Sequence, residues 1–125
     1  IYAGALDNPD DLALHALRSQ LSYVAFYGGV PVAAFGATPL WPGVWNVWMF
    51  ATDDWPRVSL SVTRFIRRIL GPALQRAGAH HAQCWSAAAH TTAHRWLESL
   101  GARRVGVAPA MGRSREDFIL FAWSR

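Results

Sequence analysis

The spacing of apolar residues along the chain changes between the three-to-four-residue repeat of a helix and the denser patterns of strands. Leu14, Leu17 and Leu21 follow the helical repeat behind the capping sequence Asn8-Pro9-Asp10. The run Trp45–Thr52 is apolar at almost every position, which indicates a strand covered on both faces. The predicted elements are, in chain order, a helix at about 9–20, strands at 22–27 and 30–36 joined at Gly28-Gly29, a loop at 37–44, a strand at 45–52, a helix at 58–77, a strand at 81–85, a helix at 91–100, a strand at 104–107, a loop at 108–115 and a strand at 117–123.

The order of these elements predicts a mixed sheet. The strand at 45–52, the helix at 58–77 and the strand at 81–85 form a β-α-β unit, whose strands are expected to be parallel with a right-handed crossover. The strand pairs at either end are expected to be antiparallel. Gly71-Pro72 is expected to kink or interrupt the long helix. We predict one α/β (α+β) domain over residues 1–125, with a mixed sheet and helices on both faces.

The composition excludes several classes of protein. Of the 125 residues, 52% are hydrophobic and 16% are charged, which excludes a disordered chain. The single cysteine, Cys84, excludes a disulfide scaffold within one chain. Cys84 and the nearby His90 and His94 match no zinc-finger spacing, so we expect no metal site. No apolar run has the length of a membrane-spanning helix.

The charges are unevenly distributed. Residues 1–56 carry five acidic residues and one Arg, whereas residues 57–125 carry three acidic residues and eleven Arg. Three of these arginines share one face of the predicted helix at 58–77, which is either a solvated surface or a contact for DNA phosphates or an acidic partner. Three tryptophans, Trp41, Trp45 and Trp55, lie in or beside loops and either pack there or serve an interface. The candidate interaction residues are Arg64, Arg67, Arg68, Trp41 and Trp55.

The segment Ala93-x-x-Trp-Leu-Glu-Ser-Leu-Gly101, following a strand that leads into a long helix, resembles the GNAT acetyltransferase fold. In that family the segment reads roughly Ala-x-x-Leu-Tyr-Glu-Lys-Leu-Gly-Phe. The family's N-terminal strand and part of its first helical region have no counterpart here. The chain, which begins at Ile1 rather than Met, is therefore expected to start within a longer sequence.

Within that fold, the chain is similar to the internal virion protein A family of short-tailed bacteriophages over about residues 21–124. This similarity implies a phage virion or assembly protein, located in the virion or the host cytoplasm, with other virion proteins or further copies of itself as partners. The shared landmarks are Phe26-Tyr27-Gly28 with Pro31 and Ala33, Trp48-Met49-Phe50-Ala51-Thr52-Asp53, Arg64-Phe65-x-Arg67, Trp85, His94-Arg95-Trp96-Leu97, Leu100-Gly101-Ala102 and Phe118-x-Leu120-Phe121.

Three parts of the acetyltransferase site differ from the family pattern. The glycine-rich loop that binds pyrophosphate is replaced by Asp53-Asp54-Trp55-Pro56-Arg57, whose carboxylates are expected to cap the next helix and to repel phosphate. The strand at 45–52 contains no Glu to serve as the base, and Leu97 replaces the tyrosine that protonates the leaving thiolate. If the chain is an enzyme, the resemblance leaves Asp53 as base and His94 as acid. The candidate cofactor-binding residues are then Arg57, Val58, Ser59 and Leu60.

The leading hypothesis from the sequence is a non-catalytic virion or assembly protein with no cofactor. The first alternative is an acetyl-CoA-dependent N-acetyltransferase with an unusual active site, and the second is a non-specific DNA-binding virion protein. The cleft between the strands at 45–52 and 81–85 distinguishes them, because these strands splay apart in active acetyltransferases. A large side chain such as Trp48 or Trp85 filling that opening would exclude the enzyme.

Overall fold

The structure is a computed structural model that describes residues 12–17 and 20–125. Seven strands and three helices, two of them joined by a π-helical turn, make up these residues. The strands are β1 (Leu12–Leu17), β2 (Gln20–Tyr27), β3 (Val30–Trp41), β4 (Val44–Ala51), β5 (His81–Ala87), β6 (Arg103–Ala108) and β7 (Phe118–Ser124). The helical segments are α1 (Trp55–Phe65), the π-helical turn Ile66–Leu70, α2 (Gly71–Arg76) and α3 (Thr91–Ser99).

The strands form one mixed sheet in the order β1-β2-β3-β4-β5-β7-β6. Strands β4 and β5 are parallel, whereas the other neighbours in the sheet are antiparallel. This confirms the predicted mixed sheet, which has the β-α-β unit at its centre and antiparallel pairs at its ends.

The helix predicted at about 9–20 is wrong where the structure describes it. Residues 12–17 form β1, which pairs antiparallel with β2 so that Leu12 lies opposite Ala25. The positions 9–11 and 18–19 lie outside the described residues. Cross-strand pairing with β2 provides hydrogen-bond partners along one edge of β1, and this gain outweighs the local helical repeat.

The predicted hairpin is present, and its second strand is longer than expected. Gly28 and Gly29 adopt φ values of 59° and 78°, which favour glycine and suit a tight turn between twisted strands. Strand β3 then continues to Trp41 and pairs with β4 beyond Pro39, so the loop predicted at 37–44 is wrong. The register shifts between Pro39 and Trp41, where proline lacks the N–H that a regular ladder needs.

The long helix is interrupted before Pro72, as predicted. Residues Ile66–Leu70 form a π-helical turn, and the N–H of Gly71 donates to the carbonyl of Ile66 five residues earlier. Pro72 has no N–H with which to continue the α-helical ladder. The π-helical turn provides hydrogen bonds around this missing donor, and the chain continues as a helix into α2.

The described helices all contact the same face of the sheet, which we call the helical face. The predicted helices on both faces are therefore not found in the part of the chain that the structure describes. Phe65 in α1 packs against Tyr23, with ring centroids 4.7 Å apart, and Leu97 in α3 belongs to a buried cluster with Phe121. The strand registers place Tyr23 and Phe121 on one face. On the opposite face, which we call the far face, Phe50 is 73% exposed.

Candidate active site

Strands β4 and β5 separate soon after they meet. They pair at three positions, where Val44–Asn46 lies beside His81–Gln83, although β4 continues to Ala51 and β5 to Ala87. Each strand stays paired with its other neighbour, β3 or β7, beyond this point. The two facing edges therefore diverge, and their main-chain N–H and C=O groups do not pair across what we call the β4–β5 gap.

A cavity of about 920 Å³ opens at the β4–β5 gap. This volume lies within the range of small-molecule sites, roughly 300–1,000 Å³. A second cavity of about 370 Å³ adjoins it and shares the lining residues Met49 and His90. Among the residues lining the large cavity are Val47 and Met49 from β4, Cys84 and Ser86 from β5, and Ala93 and Leu97 from α3.

Neither tryptophan named as a potential plug closes the gap. Trp48 and Trp85 both line the large cavity, and the strand alternation places both side chains on the far face. The ring of Trp48 lies across Gly36, where an added Cβ would sit 2.8 Å from Trp48 Cζ2. Trp85 is 38% exposed. The condition that would exclude an enzyme is therefore not met.

The N-terminus of α1 lies at the wide end of the gap, and its first backbone donors are already used. The N–H of Trp55 donates to the Thr52 carbonyl at 3.0 Å, and the N–H of Arg57 donates to the Asp54 carbonyl at 2.9 Å. Pro56 has no N–H. The orphan donors that make a helix N-terminus an anion site are thus engaged at these positions.

The carboxylates before α1 do not cap it in the predicted way. Asp54 occupies the N-cap position, but its side chain makes no capping hydrogen bond. Its carboxylate instead lies 3.6 Å from Arg57 Nε in an exposed ion pair. The carboxylates of Asp53 and Asp54 therefore remain beside the mouth of the gap, and the Arg57 guanidinium offsets part of their negative charge.

The four predicted cofactor-binding residues are not among those lining the two cavities. Val58 is buried, with 1% of its surface exposed, whereas Leu60 is 61% exposed. The hydroxyl of Ser59 donates to the Pro56 carbonyl at 3.4 Å, and the guanidinium of Arg57 lies 5.1 Å from the centre of the Tyr27 ring. Their role in cofactor binding stays a prediction.

The two predicted catalytic residues have different surroundings. Asp53 is exposed and lines the smaller cavity. His94 is 3% exposed, and its Nε2–H donates to the Ala87 carbonyl at 3.0 Å, since a carbonyl only accepts. The structure therefore brings Asp53 to the smaller cavity beside the gap and buries His94 between α3 and the sheet, where its ring lies 5.0 Å from that of Phe121.

Trp96 is a site residue that the sequence analysis did not identify. Its indole N–H donates to the Thr63 hydroxyl at 2.8 Å, and its ring meets the Trp55 ring edge-on at 5.3 Å. These contacts join α3 to α1 beside both cavities. The only signal in the sequence was an aromatic residue in the segment that resembles the GNAT pattern.

His90 and Cys84 also line the large cavity, although neither was among the site residues predicted from the sequence. Burial raises the pKa of the Cys84 thiol to about 12, so the thiol is neutral at neutral pH. Within the part of the chain that the structure describes, no group of three or more His, Cys, Asp or Glu side chains is placed to hold a metal ion.

The candidate interaction residues do not form one uniform surface. Arg64, Arg67 and Arg68 are exposed, but Arg67 donates to the Ser99 carbonyl at 2.9 Å and so links the π-helical turn to α3. Trp41 is 62% exposed, whereas Trp55 is half-buried against Trp96. Contact with DNA or a protein partner stays a prediction. No described helix is long and apolar enough to cross a membrane.

Solved structures that this chain resembles include several acetyltransferases. A GNAT family acetyltransferase from Elizabethkingia anophelis, with acetyl-CoA bound, has 9% identity and a TM-score of 0.70 over 92% of this chain and 97% of that chain. The ribosomal-protein-S18-alanine N-acetyltransferase from Escherichia coli has 18% identity and a TM-score of 0.69 over 87% of this chain and 71% of that chain. The acetyltransferase of the GNAT family from Streptococcus pneumoniae has 12% identity and a TM-score of 0.71 over 87% of this chain and 68% of that chain. No protein-family model and no curated protein matches the chain.

The chain therefore has a GNAT-like fold, as the first resemblance implied. The prediction of a bacteriophage virion protein is wrong, because the likenesses are to acetyltransferases and none supports a virion family. Several landmarks behind that prediction, such as Phe26, Ala33 and Phe121, are buried core residues. Core residues record how a fold packs and carry little information on what its site does.

Proposed function

We propose that this chain is an acyl-CoA-dependent N-acyltransferase, with acetyl-CoA as the expected donor. The β4–β5 gap is the observation that carries the proposal. Two diverging strand edges present main-chain donors and acceptors to a slot between them. An extended pantetheine arm carries amide groups that hydrogen-bond to such edges as an added strand would.

The lining of the gap suits the arm and its acyl group. Val47, Met49 and Leu97 give the cavity apolar walls, which favour the methylene groups of the arm. Ser86, Ala87 and Ala93 are small and leave the slot unfilled. The neutral thiol of Cys84 adds a further weakly polar wall.

The reaction moves an acyl group from sulfur to nitrogen. The lone pair of a neutral amine attacks the thioester carbonyl carbon, the C–N bond forms and the C–S bond breaks. The electron pair goes to sulfur, and one proton passes in net from nitrogen to the thiolate. Among the described residues that line the two cavities, Asp53 carries the one side-chain carboxylate, and we propose it as the group that accepts the proton from nitrogen after the attack.

His94 has a positioning role in this proposal. Its Nε2–H is committed to the Ala87 carbonyl, which lies at the end of β5 beside the gap. Using His94 as the acid would require breaking this bond in a buried place. We therefore propose that His94 holds the end of β5 in the splayed position.

The phosphate end of CoA fits this chain less well than the pantetheine arm. The first N–H groups of α1 are engaged, and the carboxylates of Asp53 and Asp54 lie beside the mouth. Like charges close together repel, and proximity to solvent weakens but does not remove that repulsion. We expect affinity to depend mainly on the arm and the acyl group.

Calorimetry with CoA, acetyl-CoA and pantetheine tests the proposal. We expect micromolar binding of acetyl-CoA by the unchanged chain. Ala93→Trp places an indole in the large cavity and Ala51→Trp places one at its mouth, and each is expected to weaken binding by more than about tenfold. Ala77→Trp adds the same bulk at an exposed position that does not line either cavity, and it is expected to bind normally. A folded, unchanged chain that gives no heat with millimolar acetyl-CoA would contradict the proposal.

A further inference from the structure

We infer that the acceptor is an arylamine, an amine attached directly to an aromatic ring, which binds on the far face against Trp85 and Trp48. This inference rests on the proposed acyltransferase function. It is carried by three observations: the gap passes through the sheet, its far side is aromatic, and its large cavity has no carboxylate lining.

The β4–β5 gap connects the two faces of the sheet. The large cavity is lined on the helical face by Leu70 and Leu97 and on the far face by Trp48, Trp85 and Phe118. The smaller cavity lies between the first turns of α1 and α3, so the helical face is where a long donor enters. A thioester held in the gap is then accessible to an acceptor from the far face.

The far side of the gap offers flat aromatic surfaces. The rings of Trp48 and Phe50 lie 5.9 Å apart, tilted by 43°. Phe50 is 73% exposed and Trp85 is 38% exposed. Both tryptophans line the cavity, so a ring that stacks on them also lies at the slot. Aromatic pairs in such offset or tilted arrangements gain about 0.5–1.5 kcal/mol beyond burial.

The charges around the large cavity disfavour a cationic acceptor. Among the described residues that line it there is no Asp or Glu, and the permanently charged side chains are Arg67 and Arg125. An alkylamine is an ammonium ion at neutral pH, and the described lining of the large cavity offers it no side-chain carboxylate as a counter-ion, since Asp53 lines only the smaller cavity. An arylamine is uncharged there because its lone pair is delocalised into the ring. It therefore needs no base before it attacks.

The step is balanced without any further reactant. The arylamine nitrogen attacks the thioester carbonyl, the C–N bond forms and the C–S bond breaks. The proton that nitrogen loses after the attack passes to Asp53, and the thiolate gains one proton in net. The products are the N-acyl arylamine and the free thiol.

Two isomeric amines separate the acceptor classes. p-Toluidine and benzylamine have the same formula, but only p-toluidine is an arylamine. With acetyl-CoA as donor and released thiol as the readout, we expect kcat/KM for p-toluidine to exceed that for benzylamine about tenfold or more near pH 7. The rate with p-toluidine is expected to stay flat toward pH 8.5, whereas any rate with benzylamine rises as its ammonium form loses a proton.

Two tryptophan variants test the place of binding. Trp85→Leu is expected to raise KM for p-toluidine about tenfold with little change in kcat, because it removes a stacking surface. Trp41→Leu removes an exposed tryptophan that does not line either cavity, and it is expected to change KM less than about twofold.

The outcomes are distinguishable from those for the proposed function. Equal use of both amines, preference for benzylamine, or equal effects of the two tryptophan variants would overturn the arylamine assignment while acetyl-CoA binding persists. Absence of acetyl-CoA binding would overturn both proposals.

Discussion

The Nε2 atom of His94 lies 3.0 Å from the carbonyl oxygen of Ala87, the last residue of β5. This hydrogen bond joins the first turns of α3 to the strand end that borders the gap. His94 is 3% exposed, so its side of the bond is shielded from water. Leaving a buried polar group unpaired costs roughly 1–3 kcal/mol.

We expect His94→Ala to lower the free energy of unfolding by about 2 kcal/mol or more, because it leaves a cavity and an unpaired carbonyl. Urea denaturation measures the change. His94→Gln keeps an N–H donor and is expected to recover part of the loss. His90→Ala, four residues earlier and exposed, should change stability by less than about 0.5 kcal/mol. Equal losses at both histidines would contradict the assignment.

The Trp96–Thr63 hydrogen bond joins the two helices that flank the gap. A double-mutant cycle with Trp96→Phe and Thr63→Val is expected to give a coupling of about 1 kcal/mol in the free energy of unfolding. Thr63 also donates to the Ser59 carbonyl, and the cycle cancels that separate loss. A coupling near zero would show that the contact contributes nothing to helix packing.

Removing the carboxylates at the mouth is expected to tighten the binding of CoA. The paired change Asp53→Asn and Asp54→Asn should lower the Kd of CoA several-fold at low salt, and the gain should shrink as salt is added. The Kd of pantetheine, which has no phosphate, should not change. Glu98→Gln removes one charge from an exposed site on α3 outside both cavities and serves as the control. Weaker binding of CoA to the paired variant would show that these carboxylates assist the donor.

The Cys84 thiol is expected to resist alkylation in the folded chain. Burial raises its pKa from 9.0 to about 12, so near pH 8 its thiolate fraction is about a thousandfold below that of an ordinary thiol. The rate with iodoacetamide should keep rising with pH up to about 12, whereas the unfolded chain should reach a plateau above about 9. Because the unfolded thiol loses its proton first, stability should also fall as pH rises from 9 toward 12. A plateau near 9 in the folded chain would contradict a buried thiol.

The parts of the fold set by short-range signals were predictable from the sequence. Gly28-Gly29 between two apolar runs indicated the hairpin, and Pro72 indicated the break in the long helix. Strand β1 was not predictable, because its conformation depends on the edge of β2 and its own repeat favours a helix. Pro39 likewise suggested a loop, whereas pairing with β4 carries the strand through it.

The site was predictable only in outline. The resemblance to the GNAT fold implied that the cleft between β4 and β5 is the discriminating feature. The sequence did not show whether the cleft opens, because opening depends on where the ladder stops after Asn46. Asp53 was placed at the gap from its position after β4. Whether His94 faced the cavity or the sheet could not be known, since helix periodicity alone does not fix how α3 is rotated against Phe121.

The short ladder between β4 and β5 also has a mechanical consequence. The sheet consists of two leaves, β1–β4 and β5–β7, hinged where Val44–Asn46 meets His81–Gln83. On the helical face, two hydrogen bonds join α3 to α1 and the π-helical turn: Trp96 donates to Thr63, and Arg67 donates to the Ser99 carbonyl. Because these helices pack on different leaves, the bonds also link the leaves. We therefore expect the two leaves to open by pivoting on that side, so that the slot widens toward the far face. A donor arm bound between the leaves would slow this motion. Hydrogen exchange of the amides in Val44–Asn46 and His81–Gln83 is then expected to slow when the donor binds.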